Sequence, residues 1–432
     1  MATQTIVEHR KFSCTKLGNN NNKYWNVTLY DNGDVMSEWG RQGKTKQSKT
    51  WPGVGRSFMD KKIAEKHKKG YHENQVVEGT GEIKSSSHNV ANTELKDIAT
   101  KQIKSKNPVV AKLVQFLVDV NAHAIHHATG GKITYDTSSA TFKTTQGVVL
   151  PSQVTRARDL LAGMYNYVNK GQYDIIEDDL NEYLSIIPRD FGMHRMSPAD
   201  ILPSVSAIAK ENDILDGLDA SFAGLQTSQP KKTTKKKDDA PKIFDVEMDL
   251  VEENSSIFKA INSYYEKTKK TMHQSHRYKL KKVYKVDINT VKNAFEEKGK
   301  KVGNIKELFH GTKCSSCLSI LRQGLIIPPA NSSHCTGRLG GNGIYGTDIS
   351  SKALNYATNY WNGSGSTDKI FMFLCDFAMG KSYISKGYGD YKTPREGFDS
   401  TFMEGGRYGL MNNEMIVYST FQVNLKYLLE FS

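Results

Sequence analysis

A histidine beside a glycine, two tyrosines a short segment apart and a carboxylate at the head of an apolar run are the most chemically loaded part of this 432-residue chain. They lie in Leu308-Phe309-His310-Gly311-Thr312, Gly343-Ile344-Tyr345, Ser351-Lys352-Ala353-Leu354-Asn355-Tyr356 and Asn413-Glu414-Met415-Ile416-Val417-Tyr418. Such residues can hold a flat heteroaromatic ring and polarise a sugar. A glycine lets a ligand amide approach the bare backbone, whose N–H and C=O read a carboxamide. Tyr345 and Tyr356 offer two aromatic faces for the ring. Glu414 opens an otherwise apolar strand, where burial gives an ionised carboxylate a partner or a task. Singly, each piece is common, and a tyrosine in an apolar stretch is more often core than ligand platform.

A mixed segment must position these residues. Stretches 257–265 and 291–295 read as amphipathic helices, whereas 370–375 and 415–418 read as buried strands. The mixture predicts an α+β domain with a mostly antiparallel sheet over residues 243–432.

In this order and with these neighbours, the motifs resemble the catalytic domain of the poly(ADP-ribose) polymerase (PARP) family, with its His-Tyr-Glu triad. Phe309-His310-Gly311-Thr312 is similar to the NAD-binding entry and Gly343-Ile344-Tyr345 to the segment of the triad tyrosine. Lys352 and Tyr356 match the following helix, Asn413-Glu414 the catalytic glutamate, and Gln422-Val423-Asn424-Leu425-Lys426-Tyr427-Leu428-Leu429 the closing strand. The resemblance implies the ADP-ribosyltransferase fold, NAD as substrate and no metal. Its chemistry displaces nicotinamide from ribose through a transition state of oxocarbenium character. His310, Tyr345 and Glu414 are then catalytic; His310, Gly311, Thr312, Tyr345, Lys352 and Tyr356 bind NAD. Three positions depart from the family pattern: Ala353 stands where a serine is common, Gly346 where an aromatic is usual and Asn342 where a lysine is common. The triad glutamate favours poly(ADP-ribose) elongation. A mono-ADP-ribosyltransferase and a catalytically weakened DNA-binding scaffold remain as alternatives.

The chain exceeds the size at which a single core stops growing, so several domains are expected, and its net charge of +13 points to polyanionic partners. In residues 1–90, Trp25, Val27 and Leu29 alternate with polar residues, Asp31-Asn32-Gly33-Asp34 forms a turn, and 35–39 resumes the strand. Glu38-Trp39-Gly40-Arg41-Gln42-Gly43 resembles the motif that names the WGR domain, a small antiparallel β module. From 41 to 72, ten lysines and arginines are opposed only by Asp60 and Glu65. Such a face gains free energy by releasing counterions from phosphates, although a solvated helix face accounts for any single lysine equally well. The resemblance turns Trp39, Arg41 and Lys44 towards DNA, with ends or breaks bearing a 5′-phosphate as partners. A purely core role for Trp39 stays open.

Residues 94–226 are expected to form an all-α bundle. Asn107-Pro108 starts a helix with a Val110, Leu113, Val114, Leu117 and Val120 stripe, Ser152 reads as the cap of a second, and Ile176, Leu180, Tyr183, Leu184 and Ile187 mark a third. Ile187-Pro188-Arg189-Asp190-Phe191-Gly192-Met193 resembles the regulatory helical domain of DNA-dependent family members. Ile214-Leu215-Asp216-Gly217-Leu218-Asp219 resembles their helix facing the NAD cleft, which implies regulatory roles for Asp216 and Asp219. That bundle would restrict NAD until DNA binds, a shift of populations. His123, His126 and His127 read as a polar helix face rather than metal ligands.

Residues 227–242, TSQPKKTTKKKDDAPK, predict a basic linker that buries no core, with a nuclear import signal as an equal reading of 231–237. Five cysteines suit a reducing compartment better than a disulfide framework. Cys314-Ser315-Ser316-Cys317 with His334-Cys335 has half of a zinc-site spacing, and an ordinary helix is preferred there. Neither a signal peptide nor a run of membrane-spanning length is read from the sequence. The expectation is a soluble intracellular protein without a membrane partner, nuclear in a eukaryotic host. It would modify acceptor proteins, itself included, in the DNA damage response.

Overall fold

The computed structural model describes residues 4–19, 21–41, 46–74, 99–136, 141–144, 147–191, 195–219, 244–327, 340–358, 369–387 and 394–432. They fall into two compact units, one drawn from 1–92 and 122–222, the other from 93–121, 223–330 and 334–432.

The first unit opens with β1 (Ile6–Lys16), β2 (Asn21–Tyr30), β3 (Val35–Arg41), β4 (Gln47–Trp51) and β5 (His72–Asn74), an antiparallel sheet in the order β4-β3-β2-β1-β5. The expected hairpin is β2–β3, with Trp25 opposite Trp39 and Leu29 opposite Val35. Gly33, at φ 83°, supplies the left-handed turn residue. Phe12, Trp25, Val27, Leu29 and Val35 bury one face of the sheet with Met59 and Ile63 of helix α1 (Gly55–Lys68).

The segment expected to be all helical is not. Strand β6 (Ile103–Lys104), itself part of the second unit, pairs in parallel with residues 246–247. Helix α2 (Pro108–Ala128) is followed by a three-stranded sheet of β7 (Thr134–Asp136), β8 (Thr141–Thr144) and β9 (Gly147–Val148). Gly130 and Gly131, at φ 61° and 75°, end α2. Ile133, Thr134, Tyr135, Thr141, Phe142 and Val148 beyond them are β-branched or aromatic and suit a pleated surface better than a helix. Helix α2 is also long and apolar enough by composition to span a membrane, contrary to the sequence reading. Its Val110, Leu113, Val114, Leu117 and Val118 are buried, as in the core helix of a globular fold.

Helices α3 (Pro151–Asn169), α4 (Glu177–Ile186) and α5 (Val205–Asp219) complete the first unit. Leu150, not Ser152, is the N-cap of α3: Pro151 takes the first helical position and the Leu150 N–H donates to Gln153 Oε1 at 2.9 Å. Arg189 is a buried tie. It donates to Ala128 O at 2.6 Å and pairs with Glu211 of α5, which also accepts from Tyr183 OH at 2.6 Å. Asn22 of β2 donates to Arg189 O at 3.1 Å, and the Leu17 N–H donates to Asn181 Oδ1 of α4 at 3.0 Å. Helices and sheet therefore share a hydrogen-bonded polar seam.

The second unit contains β10 (Val246–Val251), β11 (Leu280–Ile288), β12 (Ile305–Gly311), β13 (Ile344–Gly346), β14 (Ile370–Ala378), β15 (Ser382–Ile384), β16 (Ser400–Met403), β17 (Glu414–Val417) and β18 (Val423–Phe431). One sheet runs β12-β14-β18-β11-β10-β6 and the other β13-β17-β16-β15; the β10–β6 and β15–β16 pairs are parallel and the rest antiparallel. Helix α6 (Ser256–Lys267) buries Phe258, Ile261 and Tyr265 against Met372, Leu374, Leu429 and Phe431, and α8 (Ser350–Ala357) adds Ala353, Leu354 and Ala357. Between them in sequence lies the short α7 (Cys317–Gln323). The expected α+β domain and its buried strands, β14 and β17, are present.

Candidate active site

Four elements of the second unit meet where the sequence reading placed the chemistry. Strand β12 ends on His310 and Gly311, β13 carries Tyr345, α8 carries Lys352 and Tyr356, and β17 begins with Glu414. The end of β12 is tied to the residue after β13 by a reciprocal backbone pair, Phe309 N–H to Thr347 O at 2.8 Å and Thr347 N–H to Phe309 O at 3.0 Å. His310 Nδ1–H donates to Tyr345 O at 2.8 Å, which fixes the tautomer and leaves Nε2 an acceptor. Burial pulls the His310 pKa down, and the bond to Tyr345 only partly opposes it, so the ring is held neutral. The Tyr345 hydroxyl donates to Gly341 O at 2.6 Å and accepts from Gly340 N–H at 3.1 Å. With its hydroxyl committed to the protein, Tyr345 offers its ring. Thr312 and Tyr356 are half-buried.

Lys352 Nζ bonds Glu414 Oε1 and donates to Asn413 O at 3.2 Å. Burial pulls the Lys352 pKa down, while Glu414 and then Asp348 push it up and Lys270 lowers it further. Glu414 Oε2 is buried and has no hydrogen-bond partner among the described residues. A carboxylate with one oxygen clamped and the other unpaired is arranged to receive a donor or a positive charge from a ligand.

The neighbours of Glu414 were not legible in the sequence. Asn413 O accepts from Thr347 Oγ1 at 2.8 Å, Asn413 Oδ1 from Gly405 N–H at 2.8 Å, and Asn413 Nδ2 donates to Asp348 Oδ2 at 2.9 Å. On the adjoining side Asn412 Nδ2 lies 3.2 Å from His273 Nε2, and His273 Nδ1 lies 2.9 Å from Ser351 Oγ. Burial, with Lys270 and Lys352 nearby, lowers the His273 pKa. An aspartate before a helix or an asparagine before a glutamate carries no chemical pattern of its own.

Gly311 is required by packing. A Cβ there would lie 2.5 Å from the carbonyl carbon of Ala353, and closer still to its oxygen, so β12 and the α8 backbone touch directly. The two serines that open α8 ahead of Ala353 are engaged elsewhere: Ser350 Oγ donates to Tyr265 O at 2.7 Å and Ser351 Oγ accepts from Lys270 N–H at 2.9 Å. At Gly346 a Cβ would meet Phe377 Cζ at 2.8 Å. The ring of Phe377, from β14, fills the space an aromatic at 346 would need.

Burial pushes the Cys314 thiol up to about 12 and the Cys317 thiol well above its ordinary value, so both stay protonated core side chains. His334 and Cys335 lie outside the described residues, as do Lys44 and the 227–242 stretch.

The other expected site residues belong to the first unit. Trp39 is half-buried, packs on the sheet core and donates its indole N–H to Gln47 Oε1 at 2.8 Å. Arg41 is the half-buried last residue of β3. The ammonium of Lys49 stands 5.3 Å from the Trp51 ring centroid. Asp216 accepts from Arg158 Nη2 of α3 at 2.6 Å; Asp219 ends α5 and its side chain lies outside the described residues.

Residues 255–432 match the model of the poly(ADP-ribose) polymerase catalytic domain, and residues 9–78 that of the WGR domain. The chain is 27% identical over 444 residues to protein mono-ADP-ribosyltransferase PARP3 of Mus musculus, covering 93% of this chain and 78% of that protein. It is 24% identical over 472 residues to poly(ADP-ribose) polymerase 2 of Homo sapiens, covering 96% and 78%. Over 131 residues it is 33% identical to the poly(ADP-ribose) polymerase-like protein 100L of Invertebrate iridescent virus 6, covering 28% of this chain and 68% of that protein.

Proposed function

Because this chain belongs to the poly(ADP-ribose) polymerase family, we propose that it transfers ADP-ribose from NAD to acceptor proteins, itself included, with release of nicotinamide, and that DNA breaks stimulate it. It is an NAD-dependent ADP-ribosyltransferase, and the observation that carries the reading is Glu414, clamped at Oε1 by Lys352 and without a partner at Oε2 among the described residues.

Nicotinamide leaves as a neutral amide, so catalysis rests on positioning and charge rather than on protonating the leaving group. His310 Nε2, held neutral, accepts from a hydroxyl of the adenosine ribose. Gly311 reads the carboxamide through its backbone beside Thr312, and the rings of Tyr345 and Tyr356 flank the nicotinamide. Glu414 Oε2 bonds the nicotinamide ribose, opposes the positive charge developing on it and polarises the acceptor hydroxyl. Ala353 supplies no hydroxyl to the carboxamide, which weakens NAD binding by about 1 kcal/mol.

We assign DNA binding to residues 1–90 through Trp39, Arg41 and Lys44, with 5′-phosphorylated ends as ligands, and regulation to residues 94–226 through Asp216 and Asp219. Residues 227–242 link these to the catalytic domain, 243–432. Nuclear action in DNA repair follows in a eukaryotic host. Elongation to poly(ADP-ribose) is the favoured product, in line with the triad glutamate; single transfer is the second reading, favoured by the 27% identity to a protein named a mono-ADP-ribosyltransferase.

The test is incorporation of labelled ADP-ribose by wild type and Glu414→Gln, with and without short 5′-phosphorylated duplexes. DNA-stimulated labelling that Glu414→Gln abolishes while NAD still binds supports the reading. Intact DNA binding with no labelling under any condition overturns it in favour of a scaffold, and product length on a gel separates single from repeated transfer.

A further inference from the structure

A second carboxylate, Asp348, stands behind the Lys352–Glu414 pair and has no role in the mechanism above. It lies in the connection between β13 and α8, three residues after Tyr345 and four before Lys352. Asp348 Oδ2 accepts from Asn413 Nδ2 at 2.9 Å, while Oδ1 is buried without a hydrogen-bond partner among the described residues. Asn413 is the residue that aims Glu414. Its carbonyl is held by Thr347 Oγ1 at 2.8 Å and Lys352 Nζ at 3.2 Å, and its amide oxygen by Gly405 N–H at 2.8 Å. Remove the bond to Asp348 and the Asn413 side chain keeps one anchor, leaving the first residue of β17 freer to rotate.

Charge supplies a second argument. A lysine clamped to a carboxylate neutralises it, and a neutral pair is poorly suited to oppose positive charge on a ribose. The side chains of Lys352 and Glu414 are only 8% and 15% exposed, so water screens them little. With the half-buried Asp348 counted, the cluster is one cation against two anions. Its titratable neighbours include Lys270, which is exposed and therefore screened, His273, which burial keeps neutral, and Tyr264 of α6, which burial and then Asp348 hold protonated.

We propose that Asp348 is a positioning residue for ADP-ribose transfer: by fixing the Asn413 side chain and sharing the charge of Lys352, it sets the orientation of Glu414 and keeps the site net negative towards the developing cation. The inference rests on the transferase reading given above and names a residue that reading does not use.

The test compares the full chain as wild type, Asp348→Asn, Asn413→Asp and the exchanged double variant. Asp348→Asn keeps the shape and, through its amide oxygen, an acceptor for Asn413 Nδ2, and it removes the charge. It should lower kcat by about 10- to 100-fold, less than the roughly 100- to 1,000-fold seen when a donor touching the reacting charge is lost. KM for NAD should stay within about twofold. The alkaline limb of the kcat profile should move to lower pH, because Lys352 loses an anion that helps hold its proton. The exchange Asp348→Asn with Asn413→Asp keeps a side-chain bond between the two positions with donor and acceptor reversed and restores the charge count, so most of the lost kcat should return. A role confined to the side-chain bond would leave kcat of Asp348→Asn near that of wild type, because that bond survives the substitution. Turnover by wild type with kcat of Asp348→Asn within about twofold, or a loss of kcat that the exchange leaves unrepaired in a variant melting like wild type, overturns the inference alone. Absence of NAD turnover in wild type overturns the transferase reading, and this inference with it.

Discussion

Replacing Gly311 by alanine probes whether strand and helix touch at the active site as tightly as the geometry says. The added Cβ would sit 2.5 Å from the Ala353 carbonyl carbon, where real Cβ atoms essentially never come within 3.0 Å of a neighbour. Ordinary contact needs 3.5–4.0 Å, so α8 must withdraw from β12 by about 1 Å or more. The helix is not free to do so. Ser350 Oγ is bonded to Tyr265 O at 2.7 Å, Ser275 Oγ to Asn355 Oδ1 at 2.7 Å and Lys270 N–H to Ser351 Oγ at 2.9 Å. Overpacking costs about 1–3 kcal/mol, and a clash with backbone belongs at the upper end. At about 2–4 °C per kcal/mol for a unit of this size, a loss near 3 kcal/mol lowers Tm by about 6–12 °C. Lys352 rides on the same helix, and a 1 Å error at Glu414 costs about 100-fold in rate. Differential scanning calorimetry and NAD turnover read the two effects together. A Gly311→Ala variant melting within about 2 °C of wild type, with kcat/KM within about twofold, would refute the contact as drawn.

Phe377 gives a complementary test: Gly346→Phe alone should lower Tm by several degrees, and adding Phe377→Ala should recover part of the loss by vacating the space, read as non-additivity in thermal melts. For pH, the lowered Lys352 pKa means its cation is lost below the ordinary lysine range, so kcat should fall on the alkaline side earlier than an exposed lysine would dictate. On the acid side the sign follows His310, whose folded pKa is depressed by burial. The folded state then binds fewer protons than the unfolded one, so its contribution to stability is complete above the ordinary histidine range and is lost as pH falls from that range through the lower folded pKa. Melting temperature against pH for wild type and His310→Gln separates this contribution, which should disappear in the variant.

What could be read from the chain was what is written locally. Alternation about Trp25, Val27 and Leu29 with a glycine turn revealed β2 and β3, apolar runs revealed β14 and β17, and the types and order of His310, Tyr345, Lys352 and Glu414 pointed to their chemistry. The β7–β8–β9 sheet was missed because its strands are two to four residues long, too short for any period to register. Strand β1 escaped because Ile6–Lys16 mixes charged and apolar residues, and its pairing with β2 decides which of them are buried.

By itself the sequence determined which residues carry reactive groups and which stretches can bury a face, since both depend on side-chain type and on neighbours a few positions away. Tertiary structure decided how those groups are held. Asn413 meets Asp348 across 65 positions, Lys352 meets Glu414 across 62, and Gly311 lies against Ala353. Those meetings follow from strand register and helix docking, which no local pattern encodes, because a strand shifted by one residue would turn every one of its side chains to the other face.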